Sequence, residues 1–208
     1  MVDTRMNEKY VCINIRDLLE DAVISGDGES ELQKTLSDFS SPKNADVEHF
    51  LRKNAIDFTK KSQSVTYLVF SVEDVELLGY FTITVKPVKL YSDQVSNTVK
   101  RKLDRVAKLN RDDNSYTVAG FLIAQLGKNY SERIKEPIDG RDLMNFALKT
   151  LKEIQYRLGG LMVYLECEDK DVLLDFYEKK NQFRRFAERI AESEQGEPHK
   201  LIQLMNFL

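Results

Sequence analysis

Catalysis needs proton carriers, nucleophiles, metal ligands or a charge cradle, and this sequence is sparing with all of them. The only two histidines, His49 and His199, stand far apart in the chain, which excludes any mechanism built on a histidine cluster. Cys12 and Cys167 each lie within an apolar, strand-like stretch, and no C-x-x-C spacing occurs. A disulfide framework, a structural metal and a redox pair are therefore disfavoured, and no metal is expected. The conspicuous feature is GKNYSERIKEPIDG, residues 127–140, which joins an apolar run to the strongest helical pattern of the chain. A loop that enters a helix at the carboxyl edge of a strand offers free N–H groups and the positive end of a helix dipole, a natural seat for phosphate. Its 14 residues exceed the roughly 2–6 of a purely structural connection. The spacing is neither G-x-x-x-x-G-K-[ST] nor G-x-G-x-x-G, so nucleoside triphosphatases and ordinary dehydrogenases are disfavoured.

The elements that position this loop are legible from periodicity. YTVAGFLIAQL reads as a strand buried on both faces at the centre of a sheet. Residues 139–158 place Leu143, Ala147, Leu151, Ile154 and Leu158 on one helical face, widened by Met144 and Leu148, and Gly159-Gly160 supply a left-handed stop. LMVYLEC resumes as a strand, so this stretch is a βαβ crossover with parallel strands. A helix follows over 169–180, and HKLIQLMNFL closes the chain as a strand. On the N-terminal side, YVCINI is a short strand, residues 16–23 a helical turn, SGDGES a loop, and residues 30–36 a short helix. Asn44 is placed to cap a helix over 45–60. TYLVFSV and VELLGYFTITV form a hairpin across a two-residue connection, Glu73-Asp74, with the second arm weakened at Gly79 and Pro87.

With 208 residues, 42% hydrophobic and 31% charged, the chain reads as one α/β domain, residues 1–208, with 1–44 as an N-terminal strand-helix elaboration. No apolar run reaches the ~18 residues of a membrane span, and the N-terminus lacks a secretory apolar region, so no membrane association and a cytoplasmic location are expected. Net charge is −3, yet residues 86–111 carry eight cations against Asp93 and Asp104. Within them, residues 96–109 alternate Val99, Leu103, Val106 and Leu109 with charge, as a basic surface helix does. Asp17, Glu20, Asp21, Asp27, Glu29 and Glu31 make the N-terminal region acidic.

Three motifs together resemble the GNAT superfamily of acetyl-CoA-dependent N-acetyltransferases, over about residues 45–208. The hairpin with Gly79-Tyr80 in its returning arm is similar to the family's central hairpin. IAQLGKNY followed by KEPIDGRDLMNFAL takes the place of its strand, pyrophosphate loop and helix. LMVYLECEDKDVLLDFYEKKNQF resembles its late strand and the helix ending in F-Y-x-x-x-G-F. On the loop pattern Q/R-x-x-G-x-G/A, Lys135 holds the first position, Ile138 the first glycine and Gly140 the last. In the last motif Asn181 stands for glycine, able to take the left-handed conformation, with Gln182 as an extra residue.

The resemblance implies a mixed, twisted GNAT sheet with helices on both faces and a V-shaped splay between its two central parallel strands, which acetyl-CoA enters. Its pantetheine arm would pair with backbone near Gln125, Leu126, Gly127 and Lys128. Its pyrophosphate would sit on the amides of Ile138, Asp139, Gly140, Arg141, Asp142 and Leu143. Lys128, Lys135 and Arg141 would offset Asp139, whose carboxylate caps the helix and must point away from the anion. Tyr177 falls on the family's tyrosine, whose hydroxyl protonates the leaving thiolate; an amphipathic core tyrosine bonded to backbone is the competing reading. Glu166 and Glu168 are candidate proton acceptors. The acceptor amine stays open among small amines, protein amines and aminoacyl-tRNA, the last because residues 38–85 look similar to acetyltransferase toxins of toxin-antitoxin modules. An antitoxin-like protein partner and a homodimer are also implied. The alternative is a GNAT-like binding or regulatory protein that has lost turnover.

Overall fold

The computed structural model describes residues 5–6, 9–25, 28–192 and 198–208. Its contacts fall into two compact units, residues 1–84 with 123–147 and residues 85–122 with 148–208. Neither is a continuous stretch, because strands β4 (Leu77–Tyr91) and β5 (Ser115–Lys128) and helix α6 (Gly140–Leu158) each run through both.

In the first unit the strand order is β1 (Arg5–Met6), β2 (Tyr10–Asn14), β3 (Val65–Ser71), β4, β5, and the ladders from β1 to β4 are antiparallel. Helices α1 (Ile15–Ser25) and α2 (Gly28–Ser37) follow β2. The expected loop SGDGES thus surrenders Gly28, Glu29 and Ser30 to α2, and Gly26 and Asp27 lie outside the described residues. Asn44 caps α3 (Ala45–His49), its side chain accepting from the Val47 N–H at 3.2 Å. The expected single helix over 45–60 is α3, a π turn (Phe50–Asn54) and α4 (Ala55–Lys60). Its buried residues Val47, Leu51, Ala55 and Thr59 recur every fourth position. A 3.6-residue helix drifts off such a stripe, and a wider turn restores it. The resulting core includes Ile15, Leu36, Phe39, Leu51, Leu68 and Tyr80, and burying each large side chain contributes ~1.5–3 kcal/mol relative to exposure.

The hairpin expectation needs two corrections. Five residues rather than two separate β3 from β4; Ser71 heads the turn, its carbonyl accepting from the Val75 N–H at 3.1 Å and its hydroxyl from the Asp74 N–H at 3.3 Å. Nor does Pro87 interrupt β4. The β3 ladder ends at Val65 opposite Ile83, so the missing proline N–H removes no bond to β3.

In the second unit the order is β4, β5, β6 (Met162–Glu168), β8 (Pro198–Phe207), β7 (Arg184–Glu192). β5 and β6 are parallel, as the crossover requires, and β8 is antiparallel to both β6 and β7. The parallel ladder holds only Gly120, Phe121 and Leu122 against Met162, Val163 and Tyr164, although both strands continue. β5 is not buried on both faces here, since Thr117 and Ala119 are exposed. Gly159 and Gly160 end α6 at φ +81° and +118°; a Cβ at Gly160 would stand 2.5 Å from the Phe121 ring. Helix α5 spans only Asn97–Leu103, not 96–109. Val99 and Leu103 are buried while Val106 and Leu109 are 57% and 37% exposed, so nothing anchors further turns. α7 (Asp171–Leu174) continues into a second π turn (Asp175–Lys180). Strand β7 was not expected. Among the described residues, no helix is long and apolar enough to cross a membrane.

Candidate functional site

The carboxyl end of β5 is set in the first unit by two glycines and an asparagine. A Cβ at Gly127 would lie 2.4 Å from Val47 Cγ1 and 2.9 Å from Tyr80 Cε1, and one at Gly79 would lie 2.8 Å from the Gly127 carbonyl oxygen. Side chains at either position would push these elements apart. Gln125, Leu126 and Lys128 are half-buried. Asn129 then ends the strand. Its side-chain NH2 donates to the Leu77 carbonyl at 2.8 Å, its Oδ1 accepts from the Ser40 and Ser131 N–H groups at 3.0 Å each, and its own N–H donates to the Leu78 carbonyl at 2.8 Å. Four segments are tied by one buried residue. Sequence reading missed it because an asparagine before a tyrosine in a polar loop looks like ordinary turn chemistry.

At the start of α6 the Asp139 carboxylate caps the helix. Its Oδ1 accepts from the Arg141 N–H at 2.7 Å, and its backbone carbonyl accepts from the Leu143 N–H at 3.1 Å. Two amides expected to receive phosphate, those of Arg141 and Leu143, are therefore engaged. Ile138 and Leu143 bury their side chains fully in the core, Gly140 is the first helical residue, and Asp142 adds a carboxylate to the first turn. Lys135 is held by Asp74 at 3.3 Å, and that hydrogen bond raises its pKa. The Tyr10 phenol is shifted upward by burial and then by Asp142, Glu136 and Asp139, so its surroundings are anionic.

Tyr177 lies in the second unit, within the π turn. Its ring meets Phe176 and Phe183 edge-on, at centroid distances of 5.0 and 6.3 Å. Burial pushes the phenol far above its usual range, with a further upward contribution from Cys167. Its hydroxyl has no hydrogen-bond partner among the described residues, so it is not a core tyrosine tied to backbone. The turn closes otherwise than the sequence implied. Asn181 has φ −118° and donates through Nδ2 to the Phe176 carbonyl at 2.8 Å, while Gln182 takes the left-handed conformation at φ +60°. The extra residue moves the strained position by one.

Neither candidate proton acceptor is free. Glu166 accepts from Arg189 Nε at 2.8 Å and Gln203 Nε2 at 2.7 Å; burial favours its neutral form, but these hydrogen bonds outweigh it and the pKa is lowered. Glu168 pairs with Lys170 at 2.5 Å. Cys167 is buried and its thiol pushed up to about 11, which suits packing rather than nucleophilic attack. In the basic segment Lys89 pairs with Asp113, and Lys102 lies 4.0 Å over the Phe207 ring. Lys100, Arg101, Arg105 and Lys108 have no carboxylate partner among the described residues.

The sequence matches no protein-family model and no curated protein, but solved structures share the fold. AtaT complexed with acetyl-methionyl-tRNAfMet is similar at a TM-score of 0.56 and 14% identity, over 80% of this chain and 85% of that one. A KacT mutant is similar at 0.59 and 13%, over 83% and 86%. AtaTR bound with acetyl-CoA is similar at 0.55 and 12%, over 97% and 94%. The chain has the GNAT fold. Within that fold the parallel ladder of β5 and β6 holds three residue pairs, and β7 completes the C-terminal hairpin with β8.

Proposed function

We propose that this chain is an N-acetyltransferase that moves the acetyl group of acetyl-CoA to an amine. The observation that carries the reading is Tyr177: a phenol in a desolvated aromatic setting whose hydroxyl is bonded to nothing else among the described residues, in a chain with the fold of AtaTR bound with acetyl-CoA. The pantetheine arm pairs with the backbone of Gln125, Leu126, Gly127 and Lys128, where fixed amides hold the thioester and polarise its carbonyl. The amine nitrogen attacks the carbonyl carbon, the C–N bond forms as the C–S bond breaks, and Tyr177 gives its proton to the departing thiolate. The proton released by the amine passes to solvent, since Glu166 and Glu168 are both engaged, and Tyr177 recovers a proton from solvent.

An aminoacyl-tRNA amine is the second reading of the acceptor, beside small or protein amines. It is supported by the structure of AtaT with acetyl-methionyl-tRNAfMet and by Lys100, Arg101, Arg105 and Lys108, which have no carboxylate partner among the described residues. An antitoxin-like partner has a parallel in a structure of AtaT with the C-terminus of the antitoxin AtaR and acetyl-CoA. An acceptor screen with acetyl-CoA that includes aminoacyl-tRNA tests the function. Transfer to any amine that fails with Tyr177→Phe supports the reading, and coenzyme binding without transfer to any acceptor replaces it with a regulatory role. Arg101→Glu with Arg105→Glu separates the acceptors, because phosphate contacts dominate RNA affinity; undiminished activity on the true acceptor rules out RNA.

A further inference from the structure

Tyr177 can deliver a proton only if its O–H points at the departing sulfur, and its hydroxyl has no partner among the described residues to aim it. Its direction is therefore set by the backbone that carries it and by the rings beside it. That backbone is held carbonyl by carbonyl. Asn181 Nδ2 donates to the Phe176 carbonyl at 2.8 Å, the Phe183 N–H to the Tyr177 carbonyl at 3.0 Å, and the Gln182 N–H to the Glu178 carbonyl at 3.1 Å. The Glu178 carboxylate in turn accepts from Arg185 Nε at 2.9 Å and Nη2 at 3.3 Å, which ties the π turn to β7. Two of these three carbonyls are met by main-chain N–H groups, which any residue but proline supplies. The bond to Phe176 needs a side chain. Asparagine suits a helix end because it tolerates the left-handed conformation, yet Asn181 has φ −118° and leaves that conformation to Gln182 at φ +60°, a residue type with no special tolerance for it. Asn181 is also buried. Its amide, rather than its backbone, is what the position uses.

We propose that Asn181 is a positioning residue for Tyr177: its side-chain amide fixes the Phe176 carbonyl, and with it the pitch of the π turn, so that the phenol faces the leaving thiolate. The inference rests on the acid role of Tyr177. Asn181 acts through the backbone of the residue before the acid and through the Phe176 ring, whose centroid lies 5.0 Å from that of Tyr177. A hydroxyl displaced by about 1 Å costs on the order of 100-fold in rate, whereas one lost hydrogen bond lowers stability only modestly.

Thiol release from acetyl-CoA by the whole chain, with the amine accepted in the screen, tests it as turnover per folded molecule, the folded fraction being taken from denaturant unfolding. Asn181→Ala should lower kcat about tenfold or more, leave the calorimetric affinity for acetyl-CoA unchanged, and add nothing to Tyr177→Phe, because an absent hydroxyl cannot be misaimed. Asn181→Asp, equal in size but without the donor, should behave as Asn181→Ala does. Fluorotyrosine placed at position 177 should show a shifted or broadened fluorine resonance in Asn181→Ala, while the same label at Tyr80 keeps its resonance. Unchanged turnover overturns the proposal, as does an equal fall with and without the Tyr177 hydroxyl, a resonance at 177 that stays in place, or full turnover in Asn181→Asp. A loss confined to acetyl-CoA affinity makes Asn181 part of the coenzyme site and also overturns it. Transfer that survives Tyr177→Phe removes the acid, and this inference with it, while the acetyltransferase reading stands; no transfer by the unaltered chain to any acceptor removes both.

Discussion

Tyr80 and Tyr177 are both tyrosines whose phenols are pushed upward by burial, yet their regions are built on opposite terms. Around Tyr80 the polar groups that face it are tied to backbone. Its hydroxyl donates to the Val47 carbonyl at 2.6 Å, Asn129 ties four segments, and Asn44 caps α3. Around Tyr177 the backbone is closed by Asn181 and Gln182, while the hydroxyl is left over. A raised pKa therefore does not mark a reactive tyrosine, because desolvation acts on both. What separates them is the hydroxyl: that of Tyr80 is held by a backbone carbonyl, while that of half-buried Tyr177 has no partner among the described residues and is left for a ligand.

The comparison is most easily broken at Tyr177. Tyr177→Phe should lower turnover roughly 100- to 10,000-fold with thermal stability and acetyl-CoA affinity unchanged. A variant that keeps full turnover in a steady-state assay would make Tyr177 as structural as Tyr80. Next in size is Asn129→Ala, which strands the Leu77 carbonyl and the Ser40 and Ser131 N–H groups; a loss of about 2–3 kcal/mol in denaturant unfolding is expected, at ~1 kcal/mol for each bond. Tyr80→Phe removes one hydrogen bond to the Val47 carbonyl, which keeps that from the Phe50 N–H, and should cost about 1 kcal/mol while each folded molecule retains its turnover.

The smallest effect lies beside Tyr177, at Cys167. Its thiol, raised to about 11 in the folded protein, titrates near 8.5–9 in the unfolded chain. The unfolded chain thus loses this proton first as pH rises. The stability tied to the neutral thiol is whole below about pH 9 and gone above about pH 11, and no effect is expected at neutral pH. Cys167→Ala should flatten that part of an alkaline unfolding curve, and an unaltered slope would mean that the thiol is better solvated than its burial indicates.

Much of this was legible beforehand because it rests on periodicity and caps. Asn44, the α6 face and Gly159-Gly160 announce themselves through spacing and residue type, as does the βαβ crossover. β7 did not. In RRFAERIAE only Phe186 is well buried and Ile190 is 67% exposed, so the apolar alternation that marks a strand is absent; pairing with β8, the Phe186 ring against Tyr164 and the Arg189–Glu166 pair hold it there. The candidate site divided in the same way. Tyr177 was found through a motif and Gly127 through its place in the strand. Asn129 and its partners Ser40 and Leu77 come together only in three dimensions. Loop conformation and side-chain direction leave no period in a sequence.

The π turn at Phe50–Asn54 can be read as an inserted residue that the helix has kept. Removing one residue there, Lys53 for instance, would return the segment to ordinary α-helical winding and turn one side of it by about 100° against the other. α4 is held by its own buried Ala55, Ile56 and Thr59, so α3 is the part that would rotate. Val47 would then leave the cleared surface of Gly127 and carry its carbonyl away from Tyr80. The lock on that tyrosine thus depends on a surplus residue half a dozen positions further along the chain, and a one-codon deletion that removes no contacting side chain would undo it.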